Sequence, residues 1–409
     1  MRVLVLGGGA AGMIAAWRAA GLGHSVLLLE ANGRLGVKLR ISGGGKCNIT
    51  HAGPLKELLG AFRKEQAHFL RPAFHGFSNE DVLDLLRREG VATYVRENGR
   101  VFPEDRPGSA AEVVGALERV LRRAGVEVRF GARVVGLVGT LPRLEALLLE
   151  DGMRLQADHY VLATGGASYP ETGTRGDLLA MLKSLGVPVR PWAPALAPIP
   201  LRDPHPEWEG VALRGGTLQL RAGAQGKRLA TFAGDILFTR TGISGPAALE
   251  LSRVVEEARR SGGAWLAYAL TVAREETLDA ELQGLQQANP HLALRTWLQR
   301  YLPERLCAPT VARLDLPADQ RFKDLPRAAR LRLVVLVQGF PLGEPGPVPL
   351  ARGEVAAGGV CLEAVDPHTM AVRGWENLRV CGELLDIDGP VGGYNLQAAF
   401  STGFVAGSI

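Results

Sequence analysis

The 409-residue chain is poor in cysteine, in lysine and in long apolar runs. Its four cysteines (Cys47, Cys307, Cys361 and Cys381) form no C-x-x-C pair, so we predict neither a disulfide framework nor a metal site. No apolar run approaches the roughly 20 residues of a bilayer span, so we predict a cytoplasmic protein with no membrane partner. The composition, 46% hydrophobic and 22% charged, is that of a globular chain long enough for two or three domains.

Lysine is scarce, and arginine therefore supplies most of the net charge of +5. One interpretation is a compositional bias of the genome, and the other is an RNA- or phosphate-bearing substrate. The arginines are scattered and form no basic run, which favours the first interpretation. A nucleic-acid partner remains an alternative that we do not favour, and the sequence leaves the oligomeric state open.

The first thirty residues have the pattern of a strand, a glycine-rich turn, a helix and a second strand. Met1–Leu6 is apolar and leads into Gly7, Gly9 and Gly12, which fill the G-x-G-x-x-G positions. Such glycines permit a tight turn, a close approach of the backbone to a pyrophosphate and close packing of helix on strand. Val26–Leu29 then ends in Glu30, at the distance where an acid accepts hydrogen bonds from a ribose diol.

Three later segments are also rich in glycine. Ser42–Asn48 carries three consecutive glycines beside Lys46 and predicts a second phosphate-type loop. Ala163-Thr164-Gly165-Gly166 ends a short buried strand that begins at Tyr160, where a doubly wound sheet binds its ligand. Near the end of the chain, Gly382-Glu383 and Asp386 precede Gly392–Asn395, which opens the final helix.

We interpret the first twelve and the last thirty residues as parts of one site. A nucleotide fold that begins at residue 1 and closes at the C-terminus makes the middle of the chain an insertion, which favours a bound flavin dinucleotide. Asp386 is interpreted either as an acceptor for a ribityl hydroxyl or as a turn aspartate. The N-terminus of the final helix would face the N1–O2 edge of a reduced flavin.

Cys47 and Tyr394 are the candidates for a catalytic role. A cysteine beside Lys46 in a glycine loop could have a lowered pKa. A small packed side chain is the alternative at Cys47, and we favour it. No Ser-His-Asp order and no carboxylate pair of hydrolase spacing is present.

Two proline clusters indicate where the domains meet. The prolines between Pro188 and Pro206 exclude a regular helix or a central strand, and Pro341–Pro349 marks the return. We predict an FAD-binding domain in two parts, 1–189 and 346–409, around an insert of 190–345. The pattern also predicts helices over Val82–Glu89, Ala110–Ala124, Glu275–Leu302 and Arg327–Val337, and a hairpin that turns at Asp151-Gly152.

Taken together, the motifs resemble those of the HI0933-like flavoproteins, a family of FAD-binding oxidoreductases that includes aminoacetone-oxidase-like enzymes. Besides the glycine segments, the residues that carry the resemblance are Gly99–Pro103, Thr164–Pro170, Phe238-Thr239, Gly242–Pro246, Gly358–Val360 and Thr369-Met370. The resemblance implies an α/β fold, namely a glutathione-reductase-type Rossmann domain interrupted by an insert with a β-barrel and a helical subdomain. It also implies that backbone at Val134 or Val135 contacts the adenine.

The cofactor-binding residues that we predict from the motifs and the resemblance together number 27. They are Gly7, Gly9, Ala10, Ala11, Gly12, Glu30, Ala31, Lys38, Ser42, Gly43, Gly44, Lys46, Cys47, Asn48, Val134, Val135, Ala163, Thr164, Gly165, Gly166, Gly382, Glu383, Asp386, Gly392, Gly393, Tyr394 and Asn395.

The function that we expect is that of an oxidoreductase with non-covalent FAD, which passes a hydride through flavin N5 to or from a small substrate. Only one full dinucleotide fingerprint is present, so the sequence predicts no dedicated NAD(P)H domain, and NAD(P)H as a reductant would have to dock transiently on the flavin. Alternatively, the substrate itself reduces the flavin, as in an amine oxidase. Two further alternatives are a flavin-dependent reductase of an RNA base, similar to a dihydrouridine synthase, and a non-catalytic FAD-binding protein.

Overall fold

The computed structural model describes residues 1–104 and 108–409, which divide into two compact units. Unit 1 comprises residues 1–195 and 350–409, and unit 2 comprises residues 196–349. The strands are β1 Arg2–Leu6, β2 Ser25–Leu29, β3 Thr50–His51, β4 Thr93–Val95, β5 Arg100–Pro103, β6 Glu127–Arg129, β7 Val134–Thr140, β8 Arg143–Leu149, β9 Arg154–Leu155, β10 His159–Leu162, β11 Val189–Ala195, β12 Ile199–Pro200, β13 Ala212–Leu213, β14 Thr217–Ala222, β15 Arg228–Ala233, β16 Ile236–Thr239, β17 Gly242–Ser244, β18 Ala264–Ala269, β19 Phe340–Gly343, β20 Val355–Val360 and β21 Leu378–Val380. The helices are α1 Ala10–Gly21, α2 Val37–Gly45, α3 Leu55–Gly60, α4 Lys64–Gly76, α5 Asn79–Arg88, α6 Ser109–Arg123, α7 Asp177–Ser184, α8 Pro246–Ser261, α9 Glu275–Ala288, α10 Leu294–Leu298, α11 Glu304–Arg313, α12 Arg327–Gln338 and α13 Tyr394–Gly407.

The centre of unit 1 is a five-stranded sheet in the order β21-β10-β1-β2-β6. All its strands run parallel, with Leu4 opposite both Tyr160 and Leu27. The carboxyl ends of β1, β10 and β21 therefore lie at the same edge of the sheet. This arrangement confirms the α/β Rossmann-type fold and brings the first and last segments of the chain into one sheet.

Burial on both faces explains why these strands have apolar sequences without alternation. Val3, Leu4 and Val5 are fully buried, as are Val161 and Leu162. On one face α1 packs against α13, and glycine makes this close approach possible. A Cβ at Gly403 would collide with the backbone of Ala11, and one at Gly407 with the backbone of Ala15.

Most of the local predictions for unit 1 are confirmed. Helix α5 begins with a capping box in which Ser78 and Asp81 exchange side-chain and backbone hydrogen bonds. The predicted hairpin is present as β8 and β9, which pair antiparallel. Among residues 1–104 and 108–409, the proline-containing strand β11 pairs with β20 alone, and its register breaks between Arg190 and Ala193. Pro191 and Pro194 have no N–H to donate, which explains why β11 pairs irregularly.

Unit 2 combines antiparallel sheets with helices α8–α12. Its strands form two four-stranded sheets, in the orders β12-β17-β16-β13 and β15-β14-β18-β19. A β-barrel is not confirmed, because within residues 196–349 each sheet keeps two open edges and no closed barrel is formed. The prediction of one long helix over Glu275–Leu302 is wrong: α9 ends at Ala288, and α10 begins at Leu294. Pro290, which lacks an N–H donor, lies in the break.

Two expectations from the sequence concern domain limits and membranes. The domain boundaries that we predict at 189/190 and 345/346 remain a prediction. The two compact units of the structure divide at 195/196 and 349/350. In the part of the chain that the structure describes, no helix has both the length and the apolar character that crossing a bilayer requires.

Candidate functional site

The turn after β1 has the backbone geometry that its glycines predict. Gly7 has φ +105°, and a Cβ there would collide with the carbonyl of Ala163 at the end of β10. A Cβ at Gly12 would collide with the carbonyl of Gly7, whereas one at Gly9 would have no neighbour within 4 Å. Gly7 and Gly12 are therefore required by packing, and the space in front of Gly9 is open.

The N-terminus of α1 is available to an anion. Its N-cap is Gly9, no side chain caps it, and its first turn (Ala10, Ala11, Gly12) carries no acidic residue. The first N–H groups of a helix have no partner within the helix, and its dipole is positive at this end. This geometry fits a pyrophosphate group, as predicted from the sequence.

Glu30 is buried at the end of β2 and is bound by neutral donors. Its Oε2 accepts from the N–H of Gly8 at 2.7 Å, and its Oε1 accepts from the N–H and Nδ2 of Asn32, each at 2.7 Å. The backbone of Ala132 in turn donates to the carbonyl of Glu30, just before β7. Each carboxylate oxygen can accept more than one hydrogen bond, so a ribose diol can still be bound here.

The predicted adenine contacts lie on the neighbouring strand. Val134 begins β7 and pairs with Leu149, and the register shifts before Gly136. Val135 therefore lies at a bulge, and its side chain is exposed. A bulge frees backbone from regular pairing, which is compatible with a backbone contact to a ligand.

A charged cluster connects the ends of β10 and β21. The Nζ of Lys38 donates to Glu383 Oε2 at 2.7 Å and to Ser168 Oγ at 2.6 Å. Glu383 Oε1 accepts from the N–H of Ala356 at 2.9 Å, and a Cβ at Gly166 would lie 2.8 Å from this same oxygen. The structure thus brings together the predicted residues Lys38, Gly166 and Glu383. We call Lys38, Ser168, Ala356 and Glu383 the Glu383 cluster.

The Glu383 cluster is joined to the first turn. Gly382 has φ +69°, and a Cβ on it would lie 2.8 Å from the Cβ of Ala11. On the side of β10, Gly165 has φ +77°, and Thr174 Oγ1 donates to the carbonyls of Thr164 and Gly166. The predicted segments at the ends of β1, β10 and β21 are therefore adjacent.

The loop Ser42–Asn48 contacts the segment that opens α13. Ser42, Gly43 and Gly44 leave helical geometry inside α2, and Gly43 and Gly44 have positive φ. The amide of Asn48 lies between the carbonyls of Thr50 and Val101 and the N–H of Gly393, and one orientation satisfies all three. Asn395 then closes the Gly389 turn, accepting from its N–H at 2.7 Å and donating to its carbonyl at 2.8 Å.

His51 is a member of this second region that the sequence did not reveal. Its ring stacks on Tyr394, with centroids 4.8 Å apart, while Nδ1 lies 2.8 Å from the carbonyl of Ala52 and Nε2 3.1 Å from that of Asn98. A Cβ at Gly99 would collide with the ring. Gly99 belongs to Gly99–Pro103, one of the motifs that carry the family resemblance. A glycine in this motif was the only sequence signal that another residue packs closely against it.

The argument for a reactive Cys47 is wrong. The side chain is fully buried, and desolvation raises the pKa of its thiol to about 12, against a smaller lowering by the hydrogen bond with Ser42. A thiol that keeps its proton is not a nucleophile at neutral pH. Its φ of +57° instead fits a residue that shapes the loop.

Asp386 is occupied by internal partners. Its Oδ2 accepts from Arg190 at 2.8 Å, and its Oδ1 accepts from the N–H of Gly358 at 3.1 Å. Since Arg190 lies in β11 and Gly358 in β20, the carboxylate braces this two-stranded sheet. A hydrogen bond between a ribityl hydroxyl and Asp386 remains a prediction. Glu383, rather than Asp386, is the acid that contacts residues at the carboxyl ends of the strands.

Comparisons with known proteins agree with this geometry. The family model described as the HI0933-like protein Rossmann domain matches residues 1–409. The chain is 30% identical to the 3-dehydro-bile acid delta(4,6)-reductase of Clostridium scindens, covering 99% of this chain and 98% of that one. It is 28% identical to the ribosomal RNA dihydrouridine synthase of Escherichia coli, covering 98% of this chain and 95% of that one.

A solved structure shows the same fold. The 3-ketosteroid-delta4-(5alpha)-dehydrogenase from Rhodococcus jostii RHA1 matches with a TM-score of 0.53 and 16% identity, covering 99% of this chain and 95% of that one.

Proposed function

The chain belongs to the HI0933-like family, whose members are flavoprotein-type oxidoreductases, and from this premise we propose that it is an FAD-dependent reductase of a carbon–carbon double bond conjugated to a carbonyl group. The single observation that carries the FAD-binding part of the proposal is the meeting of the Gly7–Gly12 turn, the Thr164–Gly166 turn and Gly382-Glu383 at one edge of the parallel sheet. In open α/β sheets a ligand binds outside the carboxyl ends of the strands.

The residues fit FAD along its whole length. The open space at Gly9 and the uncapped start of α1 would accept the pyrophosphate, and Glu30 the adenosine ribose. Glu383, with Lys38 beside it, would bind a ribityl hydroxyl, while the loop Ser42–Asn48 and the start of α13 would lie near the ring. When bound, the flavin supplies a hydride at N5.

The names of the relatives favour reduction over amine oxidation. Dihydrouridine is uridine with a saturated C5–C6 bond, and a delta(4,6)-reductase acts on carbon–carbon double bonds. In both cases the double bond is conjugated to a carbonyl, which makes its far carbon a hydride acceptor. We infer that this chain performs the same class of reaction.

A small enone is the substrate class that we favour. The arginines of unit 2 are extensively paired with acids, for example Arg259 and Arg260 with Glu256, and Arg330 with Asp279. Paired arginines neutralise their partners and offer less positive field to a phosphate backbone. A uracil base of RNA is the second candidate, favoured by the relative named as a ribosomal RNA dihydrouridine synthase and by the net charge of +5.

Binding of FAD is tested by Gly9→Val with Gly21→Val as the matched control. Both glycines lie at the ends of α1, and neither would meet a neighbour at its Cβ. The Gly9 variant should fold but lose its flavin absorbance after gel filtration, because the side chain would fill the pyrophosphate space. The Gly21 variant should retain FAD. Full flavin content in the Gly9 variant would refute the assignment.

The reaction is tested by following the visible flavin band without oxygen. The yellow protein is mixed first with NADPH and then with NADH, and bleaching would identify the reductant. The reduced protein, prepared with dithionite if neither nicotinamide acts, then receives a 3-oxo-4,6-diene steroid or a uridine-containing ribosomal RNA transcript. Reoxidation by the steroid supports the small-enone proposal, and reoxidation by RNA alone supports the second candidate. No reoxidation by any acceptor would favour a non-catalytic FAD-binding protein.

A further inference from the structure

Tyr169 has an unusual backbone conformation directly beside the Glu383 cluster. Its φ of 53° and ψ of 61° are left-handed, which is a genuine outlier for a bulky side chain. Hydrogen bonds hold this conformation: the N–H of Tyr169 donates to the carbonyl of Ala351, and its carbonyl accepts from the N–H and the hydroxyl of Thr172. Strain maintained by such bonds concentrates at functional sites.

Two segments that converge on Glu383 place Tyr169 and Glu354 near one another. Tyr169 follows Ser168, whose hydroxyl donates to Glu383 at 3.2 Å and accepts from Lys38. Glu354 stands two residues before Ala356, whose N–H also donates to Glu383. The bond from Tyr169 to Ala351 connects the two segments again. Both residues therefore lie on segments that meet at the Glu383 cluster.

Desolvation is the main influence on the pKa of both groups. Desolvation raises the pKa of Glu354, with partial offset from Arg100 and Lys38, although this side chain also reaches solvent. Desolvation likewise raises the pKa of Tyr169, and the carboxylates of Glu354 and Glu171 add to the effect. Desolvation thus favours the protonated, neutral form of each group.

Saturation of a conjugated double bond needs an acid as well as a hydride, and Cys47 is too deeply buried to provide it. Resting on the proposed function, we propose that Tyr169 is the catalytic acid that protonates the substrate carbon next to the carbonyl, and that Glu354 returns a proton to the phenolate.

The step balances in atoms and electrons. Bound reduced FAD would supply the hydride and would be oxidised in doing so, and the far carbon of the double bond would form the first new C–H bond. The electron pair of the double bond moves to the carbon beside the carbonyl, which takes the proton from Tyr169 Oη and forms the second C–H bond. Glu354 reprotonates Tyr169 and recovers its own proton from water.

Tyr169→Phe keeps the ring and removes only the acid, so it tests the chemistry directly. The dithionite-reduced variant should be reoxidised by a 3-oxo-4,6-diene steroid at least about 100-fold more slowly than the wild type, the usual range for loss of a general acid. Ferricyanide takes electrons without protonation of a carbon, so its rate should not change. Tyr301→Phe, which removes a desolvated phenol in unit 2, is the matched control and should react like the wild type.

A second readout does not depend on turnover. In protein with 13C at the ζ carbon of tyrosine, the resonance missing from Tyr169→Phe belongs to Tyr169, and its chemical shift can be titrated with base. Glu354→Gln removes the neighbouring negative charge and should lower the pH at which Tyr169 ionises. An unchanged titration would show that the two groups are not coupled and would overturn the role of Glu354.

The outcomes separate this proposal from the proposed function. If the wild type reacts with the steroid and Tyr169→Phe reacts equally fast, the acid is another group and the proposal fails alone. If no acceptor reoxidises the wild type, the proposed function fails and the role of Tyr169 falls with it. If Tyr169→Phe loses FAD, Glu354→Gln still decides: an unchanged rate of repeated turnover with the steroid, in excess dithionite, would contradict the proton return.

Discussion

Glu30 in unit 1 and Glu256 in unit 2 are both buried carboxylates, but they have different partners. Glu30 accepts hydrogen bonds from two backbone N–H groups and one side-chain amide. Glu256 accepts from Arg259, from Arg260 and from the N–H of Val348. The arginines satisfy the charge of Glu256, so this carboxylate stabilises its unit. The neutral donors of Glu30 leave its charge available to a ligand.

The comparison shows how burial can serve either stability or binding. A buried charge paired with arginine is costly to disturb, because removing one partner leaves the other uncompensated. A carboxylate held by backbone donors at the end of a strand is oriented but not neutralised. Asp386 is intermediate, since it accepts from both Arg190 and the N–H of Gly358.

The largest effect on stability is expected for Glu256→Gln. The hydrogen bond from Arg259 is the main reason that the pKa of Glu256 falls from 4.5 to about 2. A carboxylate whose pKa is lower in the folded state stabilises the protein above the unfolded value. We expect a loss of about 2 kcal/mol at pH 7, reduced from the full linkage value because water screens the arginines.

The dependence on pH gives the sharper test of Glu256. Its contribution should be complete above pH 4.5 and should disappear as the pH falls toward about 2, and the Gln variant should lack this part of the curve. Urea unfolding at several pH values measures it. Glu257→Gln is the matched control on the same helix, because Glu257 is exposed in its pair with Arg253 and should cost under about 0.5 kcal/mol. Equal losses for both variants would contradict the comparison.

Glu30→Gln should weaken FAD binding more than it lowers the stability of the fold. We expect a loss in unfolding free energy of about 1 kcal/mol, because the amide keeps one acceptor for the donors around it. The affinity for FAD should fall about tenfold or more, because a charge-assisted bond to the ribose is lost. Titration of the apoprotein with FAD, followed by quenching of flavin fluorescence, measures the second effect. Unchanged affinity together with a large loss of stability would make Glu30 a structural residue like Glu256.

Cys47→Ala should have the smallest effect. Cys47 is buried, and desolvation raises the pKa of its thiol, so we expect the thiol to have no part in catalysis. We expect full FAD content, unchanged flavin reduction and a loss of no more than about 1 kcal/mol. In the folded protein, iodoacetamide at pH 8 should not label this residue. Rapid labelling, or loss of turnover in the Ala variant, would restore it as a catalytic candidate.

The sequence predicted the parts of the fold whose signals are local. The turn at Gly7, the capping box at Ser78 and the hairpin at Asp151-Gly152 each depend on a few neighbouring residues, and each is present. The predicted β-barrel was not confirmed. Barrel closure depends on pairing between strands far apart in the chain, which no local sequence pattern specifies. Pro290 indicates a helix break, but the prediction treated Glu275–Leu302 as one continuous helix.

Residue type and spacing by themselves determined that the chain has a dinucleotide turn, an acid at the tip of the second strand and a related segment near its end. Only the tertiary structure decided which charged groups meet. The ion pair of Lys38 with Glu383, the brace of Asp386 on Arg190 and the burial of Cys47 join residues that are distant in sequence or depend on surrounding packing. The pKa of an ionisable group depends on its charged and hydrogen-bonding partners and on its desolvation. Both come from residues elsewhere in the chain, so the residue's own place in the sequence does not reveal them.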